Sequence, residues 1–173
     1  DARVDEHGEL LLRGPNQQLG YLGMERTEWH ATGDLARLDD EGRIVLLGRA
    51  KDMIIRGDWN IYPSAYEDTI ARISGVAAAA MVGVPDLETA DEQVVLFVEP
   101  DPAASVTDLA AHVGRELRAG AHRIDAWALP DMIEVAAPLP SCGRSQKVDR
   151  VELRRRARQL VEDSTPTTAK ERA

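Results

Sequence analysis

The loop LPSCGRSQKVDR, residues 139–150, contains the first candidates for chemistry in this chain. A polar stretch with one glycine ends at Lys147 and runs directly into an arginine-rich segment, and Arg144 lies three residues before that lysine. A lysine in this position could be a catalytic cation, whereas most lysines lie on the protein surface and do nothing specific. The residue types alone leave both interpretations open.

Other reactive residue types lack the spacing of a site. Cys142 is the only cysteine in the sequence, so it can form no intrachain disulfide and belongs to no Cys-x-x-Cys metal motif. No histidine lies near it in sequence, and we interpret it as a loop residue. The four histidines have no metal-ligand spacing, so we predict no metal site among them: His7, His30, His112 and His122.

The charge of the chain bears on its partners. Lys plus Arg is 21 and Asp plus Glu is 30, which gives a formal net charge of −9. An acidic chain repels phosphate backbones at long range, which argues against nucleic acid as a partner but not against a small anionic ligand. No apolar run approaches the length of a membrane span, and the single cysteine favours a cytoplasmic location.

The first residues, DARVDEHGEL, do not resemble a signal peptide and begin without methionine, so we interpret them as the edge of a longer chain. Residues 8–48 have the pattern of β structure. GELLLRG predicts a short strand, and LARL and RIVLLG predict a hairpin, because the DDEG between them has the composition of a tight turn. The charged pentapeptide GRAKD that follows could be a linker between domains.

Beyond this linker, strand and helix patterns alternate, which predicts a mixed domain of about 110 residues. DMIIR predicts a strand and GDWNIYP a loop, and Pro63 suits the first turn of a helix that ends near Arg72. VAAAAMVGV and QVVLFVEP predict two buried strands, and DMIEV predicts a last one.

Two further helices are expected, over residues 107–118 and 148–162. On the last helix we expect Val148, Val151 and Leu153 to face the core and the arginines to face mostly solvent. The predicted fold class is therefore α+β.

Three stretches, in this order, resemble the adenylate-forming superfamily of acyl-CoA synthetases, peptide-synthetase adenylation domains and firefly luciferase. HATGDLARLDDEGRIVLLGRAKD resembles the Thr-Gly-Asp-Leu segment and the Gly-Arg-x-Lys-Asp motif of that family. IIRGDWNIYPSAYED resembles its glycine-rich turn with Asn-Ile-Tyr-Pro, and LPSCGRSQKVDR resembles its C-terminal motif with the catalytic lysine. The resemblance extends from Gly8 to about Leu160.

The resemblance implies a division of the chain. Residues 1–48 would be the terminal β-hairpin segment of a large N-terminal domain, and residues 49–52 the hinge. Residues 53–163 would form the small, mixed α/β C-terminal lid domain, and residues 164–173 a flexible tail. The phosphate loop and the acyl-binding pocket of the family would lie upstream, in the N-terminal domain that this chain requires as a partner.

The resemblance also implies a function, that of an ATP-dependent acyl-CoA ligase. Such an enzyme activates a carboxylic acid as an acyl-adenylate and transfers the acyl group to coenzyme A, with ATP, Mg²⁺ and coenzyme A as cofactors. We expect this fragment alone to be inactive. Two alternatives remain open: the acyl group passes to the phosphopantetheine arm of a carrier protein, or the chain is a non-catalytic module that binds a partner.

Three residues of the first motif would take family roles. Asp34 would accept hydrogen bonds from the ribose hydroxyls, with a turn-capping role as the alternative. Arg49 would contact the ribose or phosphate of the nucleotide, unless it is an ordinary surface arginine. Lys51 would be the hinge about which the lid domain rotates, or a solvated linker lysine.

The second motif would line the pantetheine tunnel through Gly57, Asp58 and Trp59. The family usually has a second glycine and then an acid where this chain has Asp58 and Trp59, and an aspartate adds bulk and charge where a thiol must pass. The second motif therefore departs from the family pattern at the positions that would serve the thiol-transfer step. Trp59 could instead stack on the adenine of coenzyme A, cover the acyl group or lie in a domain interface.

In the third motif, Lys147 would bridge the substrate carboxylate and the α-phosphate. The family usually has glycine where this chain has Gln146, and an alignment on Gly143 places Arg144 at the catalytic position instead. We prefer Lys147, because the sequence Lys-Val-Asp-Arg keeps its distance to the last helix, and Arg144 remains the rival cation.

Overall fold

The structure is a computed structural model of the 173-residue chain, and it describes residues 1–17, 27–86, 89, 91–144 and 146–164. The chain divides into two compact units, Asp1–Met53 and Ile54–Ala173. Within the described ranges, none of the helices combines the length and the apolar character that a membrane crossing requires. Of the predicted tail, Ser164 ends a helix and residues 165–173 lie outside the described residues.

Outside residues 18–26, which the structure does not describe, the first unit is an antiparallel sheet whose four strands follow chain order. The predicted strands are present, but the first strand was not predicted, and the third begins before its apolar run. The Thr-Gly-Asp motif therefore lies inside a strand. The strands are β1 (Ala2–Val4), β2 (Glu9–Leu12), β3 (His30–Leu38) and β4 (Ile44–Arg49).

The turn between β3 and β4 is closed by Asp39. Its Oδ1 accepts hydrogen bonds from the backbone N–H groups of Glu41 and Arg43, at 3.0 and 2.8 Å, and Gly42 has a φ of +76°. The hydrogen bond from the Arg43 side chain lowers the pKa of Asp39. The turn therefore forms where its composition predicted it.

The described residues of the second unit form a three-stranded sheet, two short hairpins and three α-helices. In the sheet, β7 (Val76–Pro85) pairs antiparallel with β8 (Glu92–Pro100), and β9 (Met132–Val135) pairs parallel with β8. The hairpin strands are β5 (Ile54–Arg56), β6 (Trp59–Ile61), β10 (Ser141–Cys142) and β11 (Lys147–Val148). The helices are α1 (Pro63–Ile70), α2 (Leu109–Ala119) and α3 (Arg150–Ser164).

Strand β8 separates two apolar cores. Successive side chains of a strand point to opposite faces of its sheet, so the run VVLFV contributes to both. Val94, Leu96 and Val98 pack with residues of α1 and α2, whereas Val95 and Phe97 pack with residues of α3. Helices therefore cover both faces of the sheet, and the predicted α+β fold class is confirmed.

Two predictions of local structure need correction. GDWNIYP was expected to be a loop, but it contains strand β6, which pairs with β5. Val151 was expected in the core, but it is 76% exposed, while Leu153 is completely buried. The helix begins at Arg150, because Asp149 Oδ1 accepts hydrogen bonds from the backbone N–H groups of Val151 and Glu152, each at 3.1 Å.

Candidate functional site

The first part of the candidate site is an ion pair between β3 and β4. Asp34 and Arg49 are cross-strand partners, and the Arg49 Nε lies 3.0 Å from Asp34 Oδ1. Arg49 Nη1 also donates to the backbone oxygen of Thr32 at 2.9 Å. Both side chains are partly exposed, so the carboxylate is fixed in direction and still accessible to a ligand.

The Thr-Gly-Asp motif fixes the backbone beside this ion pair. Thr32 Oγ1 donates to the Leu10 carbonyl at 2.9 Å and accepts from the Asp34 N–H at 3.1 Å. Gly33 has a φ of +74°, and its N–H donates to Glu9 Oε1 at 2.8 Å. Because residues with a Cβ rarely adopt this conformation, glycine is required between the threonine and the aspartate.

Lys51, the predicted hinge residue, lies in a single turn of 3-10 helix, Ala50–Asp52, directly after β4. Its side chain is exposed. The turn is followed by Met53, the last residue of the first unit. Lys51 therefore lies at the end of one compact unit, three residues before the next begins at Ile54.

The second part of the candidate site is the turn between β5 and β6, which contains Gly57 and Asp58. Gly57 has a φ of +55°, and its N–H donates to Asp91 Oδ1 at 2.8 Å. Asp58 and Trp59 are exposed. The glycine of this turn thus takes a left-handed conformation that suits it, and the turn is bonded to the start of β8.

The ring of Trp59 stacks on the ring of Trp127, with a centroid distance of 4.4 Å and an interplanar angle of 9°. Arg56, opposite Trp59 in the hairpin, donates to the backbone oxygens of Trp127 and Leu129, at 3.1 and 2.7 Å, and pairs with Asp131. The loop is therefore attached to the segment before β9 by one aromatic and several polar contacts.

No sequence pattern indicates that Trp127 and Arg56 belong to this part of the candidate site. These contacts join residues about seventy positions apart in sequence, and periodicity detects only local order. Trp127 is half-buried in a single 3-10 turn, Ala126–Ala128, and such a short turn gives no signal of its partner. Only the fold brings the two tryptophan rings together.

The third part is the hairpin of β10 and β11, which carries Lys147. Cys142 and Lys147 are cross-strand partners, and both are exposed. Gly143 and Gln146 have positive φ values of 69° and 51° in the turn. The Gln146 side chain accepts from Ser141 Oγ at 3.0 Å. Gln146, where the family has glycine, thus adopts a left-handed conformation that glycine reaches without strain.

The two rival cations occupy different places in this hairpin. Arg144 lies in the turn, whereas Lys147 lies on β11, which leads through Asp149 into α3. The N–H of Asp149 donates to the backbone oxygen of Pro140 at 2.7 Å, which closes the base of the hairpin. Lys147 is therefore nearer to the anchored base, and Arg144 to the exposed tip.

Metal ligation has no support among these side chains. In the part of the chain that the structure describes, no group of three or more His, Cys, Asp and Glu residues lies close enough to hold a metal ion. We assign Mg²⁺ ligands to none of the described residues.

Comparison with known proteins agrees with the motifs. Residues 65–147 match the model of the AMP-binding enzyme C-terminal domain. The chain is 32% identical over 163 residues to the long-chain-fatty-acid–CoA ligase of Escherichia coli O157:H7. The matched region covers 90% of this chain and 28% of that protein. It is 35% identical over 159 residues to the feruloyl-CoA synthase of an Amycolatopsis species, covering 87% of this chain and 31% of that protein.

Among solved structures, ATP-bound MatB from Rhodopseudomonas palustris superposes with a TM-score of 0.74 at 28% identity, covering 88% of this chain and 31% of that chain. The present chain spans less than a third of each of these three proteins. Motif order, fold and these similarities agree with one another, and the chain belongs to the adenylate-forming superfamily, whose C-terminal region it matches.

Proposed function

We propose that this chain is the C-terminal part of an ATP-dependent acyl-CoA ligase. The observation that carries the proposal is the hairpin that presents Lys147 on an exposed strand with an anchored base. Its support from the comparisons is that a CoA ligase and a CoA synthase align with nearly the whole chain. The ligase would need the phosphate loop and the acyl pocket that the family carries in its N-terminal domain.

In the first half-reaction, a carboxylate oxygen of the acid attacks the α-phosphorus of ATP. The bond between the α-phosphorus and the bridging oxygen breaks, and pyrophosphate leaves with that electron pair. Two anions must approach each other, so a cation positioned at the developing charge lowers the barrier. We assign this role to the Lys147 ammonium, which would bridge the carboxylate and the α-phosphate. Mg²⁺ would supply further neutralisation of the phosphates when bound.

The Asp34 carboxylate fits the ribose of ATP. It is partly exposed, and both oxygens of a carboxylate can accept hydrogen bonds from vicinal hydroxyls. Arg49 holds the carboxylate through its Nε, so we propose that it orients Asp34 in addition to any contact with the nucleotide. The pair would thereby fix the position of the nucleotide for the attack.

In the second half-reaction, the thiolate sulfur of coenzyme A attacks the acyl carbon and AMP leaves. We propose that the second unit rotates about Lys51 between the two steps, so that the turn with Gly57, Asp58 and Trp59 replaces the Lys147 hairpin at the reacting atoms. The contacts from Arg56 and Trp127 support this role, because they hold the turn in one conformation.

The test is Lys147→Ala in the complete ligase. Adenylation, measured as acid-dependent exchange of pyrophosphate into ATP, should fall by about 100-fold or more, the usual effect of removing a group that stabilises transition-state charge. Thioester formation from supplied acyl-adenylate should be unchanged. Arg144→Ala is the matched variant in the same hairpin and should preserve both rates. Unchanged adenylation in Lys147→Ala contradicts the proposal, and a loss in Arg144→Ala alone assigns the role to Arg144.

A second candidate acceptor is the phosphopantetheine arm of a carrier protein. Asp58 favours it, because a carboxylate at the turn repels the phosphates of free coenzyme A more than an arm that arrives on a protein. We expect the complete ligase to use free coenzyme A and Asp58→Gly to lower its KM for coenzyme A. A much higher kcat/KM with a phosphopantetheinylated carrier protein would assign the acceptor to that class instead.

A further inference from the structure

A network of hydrogen bonds around Arg150 joins the first residue of α3 to α1 and β7. Arg150 Nη1 and Nη2 donate to Glu67 Oε1 and Oε2, at 2.9 and 2.6 Å. Arg150 Nη1 also donates to the backbone oxygen of Met81 at 3.0 Å, and Glu67 Oε1 accepts the N–H of Met81 at 2.8 Å. One guanidinium is therefore bonded to a carboxylate and to the backbone of a core strand.

This ion pair is largely shielded from solvent, since the side chains of Arg150 and Glu67 are 20% and 15% exposed. Two parallel hydrogen bonds between a guanidinium and a carboxylate fix direction as well as distance, and a lysine cannot reproduce them. Removal of Arg150 would leave the Glu67 carboxylate shielded and without this counter-ion. The pair therefore defines where the start of α3 lies against the sheet.

The Lys147 hairpin is attached to the second unit at its base. Arg150 follows Lys147 by three residues, and the N–H of Leu139, before the hairpin, donates to Glu99 Oε2 at 2.9 Å. The strands β10 and β11 have two residues each, and hairpins of this size are not stable alone. The position of Lys147 thus depends on these two polar anchors together with the packing of Leu139 and Val148 on the core.

The remainder of α3 is held differently. Leu153 and Ala157 are completely buried against the face of the sheet that carries Phe97. Loss of the Arg150 network would leave this apolar packing in place. Leu139 and Val148 at the base of the hairpin pack with the same core, so we expect loss of the pair to shift the hairpin by a small distance while the domain stays folded. An effect on Lys147 can then be separated from an effect on stability.

We propose that Arg150 and Glu67 are positioning residues for adenylation, which hold the Lys147 hairpin in its productive place. The proposal rests on the function proposed above for Lys147. The thiol-transfer step would use the turn at Gly57 and Asp58 in place of the Lys147 hairpin. The Arg150–Glu67 pair is therefore required for adenylation and dispensable for thioester formation.

The experiment uses the complete ligase with Arg150→Gln and, as a second variant that preserves shape, Glu67→Gln. The kcat for pyrophosphate exchange should fall by up to about 100-fold, as a displacement of about 1 Å can cause, with KM for ATP and acid unchanged. Thioester formation from supplied acyl-adenylate should persist. Arg150→Lys should recover part of the loss, because it keeps the charge without the fork.

Arg155→Gln is the matched control. Arg155 lies on the same helix and makes a two-fold contact with Glu152, with both distances 2.8 Å, but its side chain is 64% exposed. Both half-reactions should be unchanged in it.

An equal fall of both half-reactions in Arg150→Gln and Glu67→Gln, together with a lower melting temperature, overturns the proposal in favour of a structural role. Unchanged adenylation in both variants overturns it as well. Lys147→Ala in the same assays separates the two hypotheses. If Lys147→Ala retains adenylation, the proposed function is refuted. If Lys147→Ala loses adenylation while the Arg150 and Glu67 variants keep normal rates, only the positioning role is refuted.

Discussion

At the scale of single residues, the candidate ribose site depends on one glycine. Gly33 has a φ of +74°, and a Cβ built on it would lie 3.4 Å from Arg49 Nη1, the atom that bonds the Thr32 carbonyl. A side chain at this position would therefore strain the backbone, and its Cβ would lie in van der Waals contact with the arginine that orients Asp34. We therefore expect a substitution at Gly33 to change both stability and the proposed nucleotide binding.

Gly33→Ala should lower the free energy of unfolding of the first unit by about 1–2 kcal/mol, the cost of a left-handed conformation for a residue with a Cβ. In the complete ligase it should also raise KM for ATP. Gly42→Ala is the control, since Gly42 has a φ of +76° but open space around it. It should cost similar stability in denaturant unfolding and leave KM for ATP unchanged. Equal effects of both variants on KM would argue against a special role of Gly33.

At the scale of elements, a bulge in β4 decides which residue faces Asp34. The pairs Leu38–Ile44 and Ala36–Leu46, continued regularly, would place Asp34 opposite Gly48. The register shifts between Leu35 and Ala36, and Arg49 becomes the partner instead. The sequence predicts the hairpin from its turn residues, but a bulge adds one residue without changing composition, so the ion pair could not be predicted.

The short hairpins also could not be predicted from sequence patterns. The long apolar strands and the three helices were predictable, because periodicity over eight or more residues is a strong signal. Strands β10 and β11 have two residues each and carry no period, although the motif around Lys147 indicated its importance. The Arg150–Glu67 pair joins two helices 83 positions apart, and such pairs follow from the fold and not from local pattern.

The exposure of individual residues in helix α3 shows which face of the helix packs on the sheet. Leu153 and Ala157 are four residues apart and buried, whereas Val151 lies on the face with the arginines. We predict that Leu153→Ala lowers the free energy of unfolding by about 2–5 kcal/mol, because it leaves a cavity. Val151→Ala should change it by no more than about 0.5 kcal/mol, as for other exposed sites. Denaturant unfolding measures both, and a large effect of Val151→Ala would contradict the assigned helix face.

At the scale of the whole molecule, the two units differ in how much apolar surface they bury. Among the described residues, the buried apolar side chains of the first unit are Leu10, Leu35 and Ala36, while both extended core clusters lie in the second unit. Leu38, Ile44 and Leu46 are exposed on the sheet of the first unit. A sheet with so little burial opens more easily than one with helices on both faces.

We predict that hydrogen exchange in the 173-residue chain is fastest in the amides of β1–β4 and slowest in those of β7 and β8, because local opening free energies follow apolar burial. In the complete ligase, the amides of β3 and β4 should become more protected, since an exposed apolar surface of this kind is expected to be covered by the proposed large domain. Exchange followed by mass spectrometry measures both states. Equal protection of the two units in the 173-residue chain would show that burial within each unit does not set its stability. Unchanged protection of β3 and β4 in the complete ligase would contradict the expectation that the large domain covers their exposed apolar side chains.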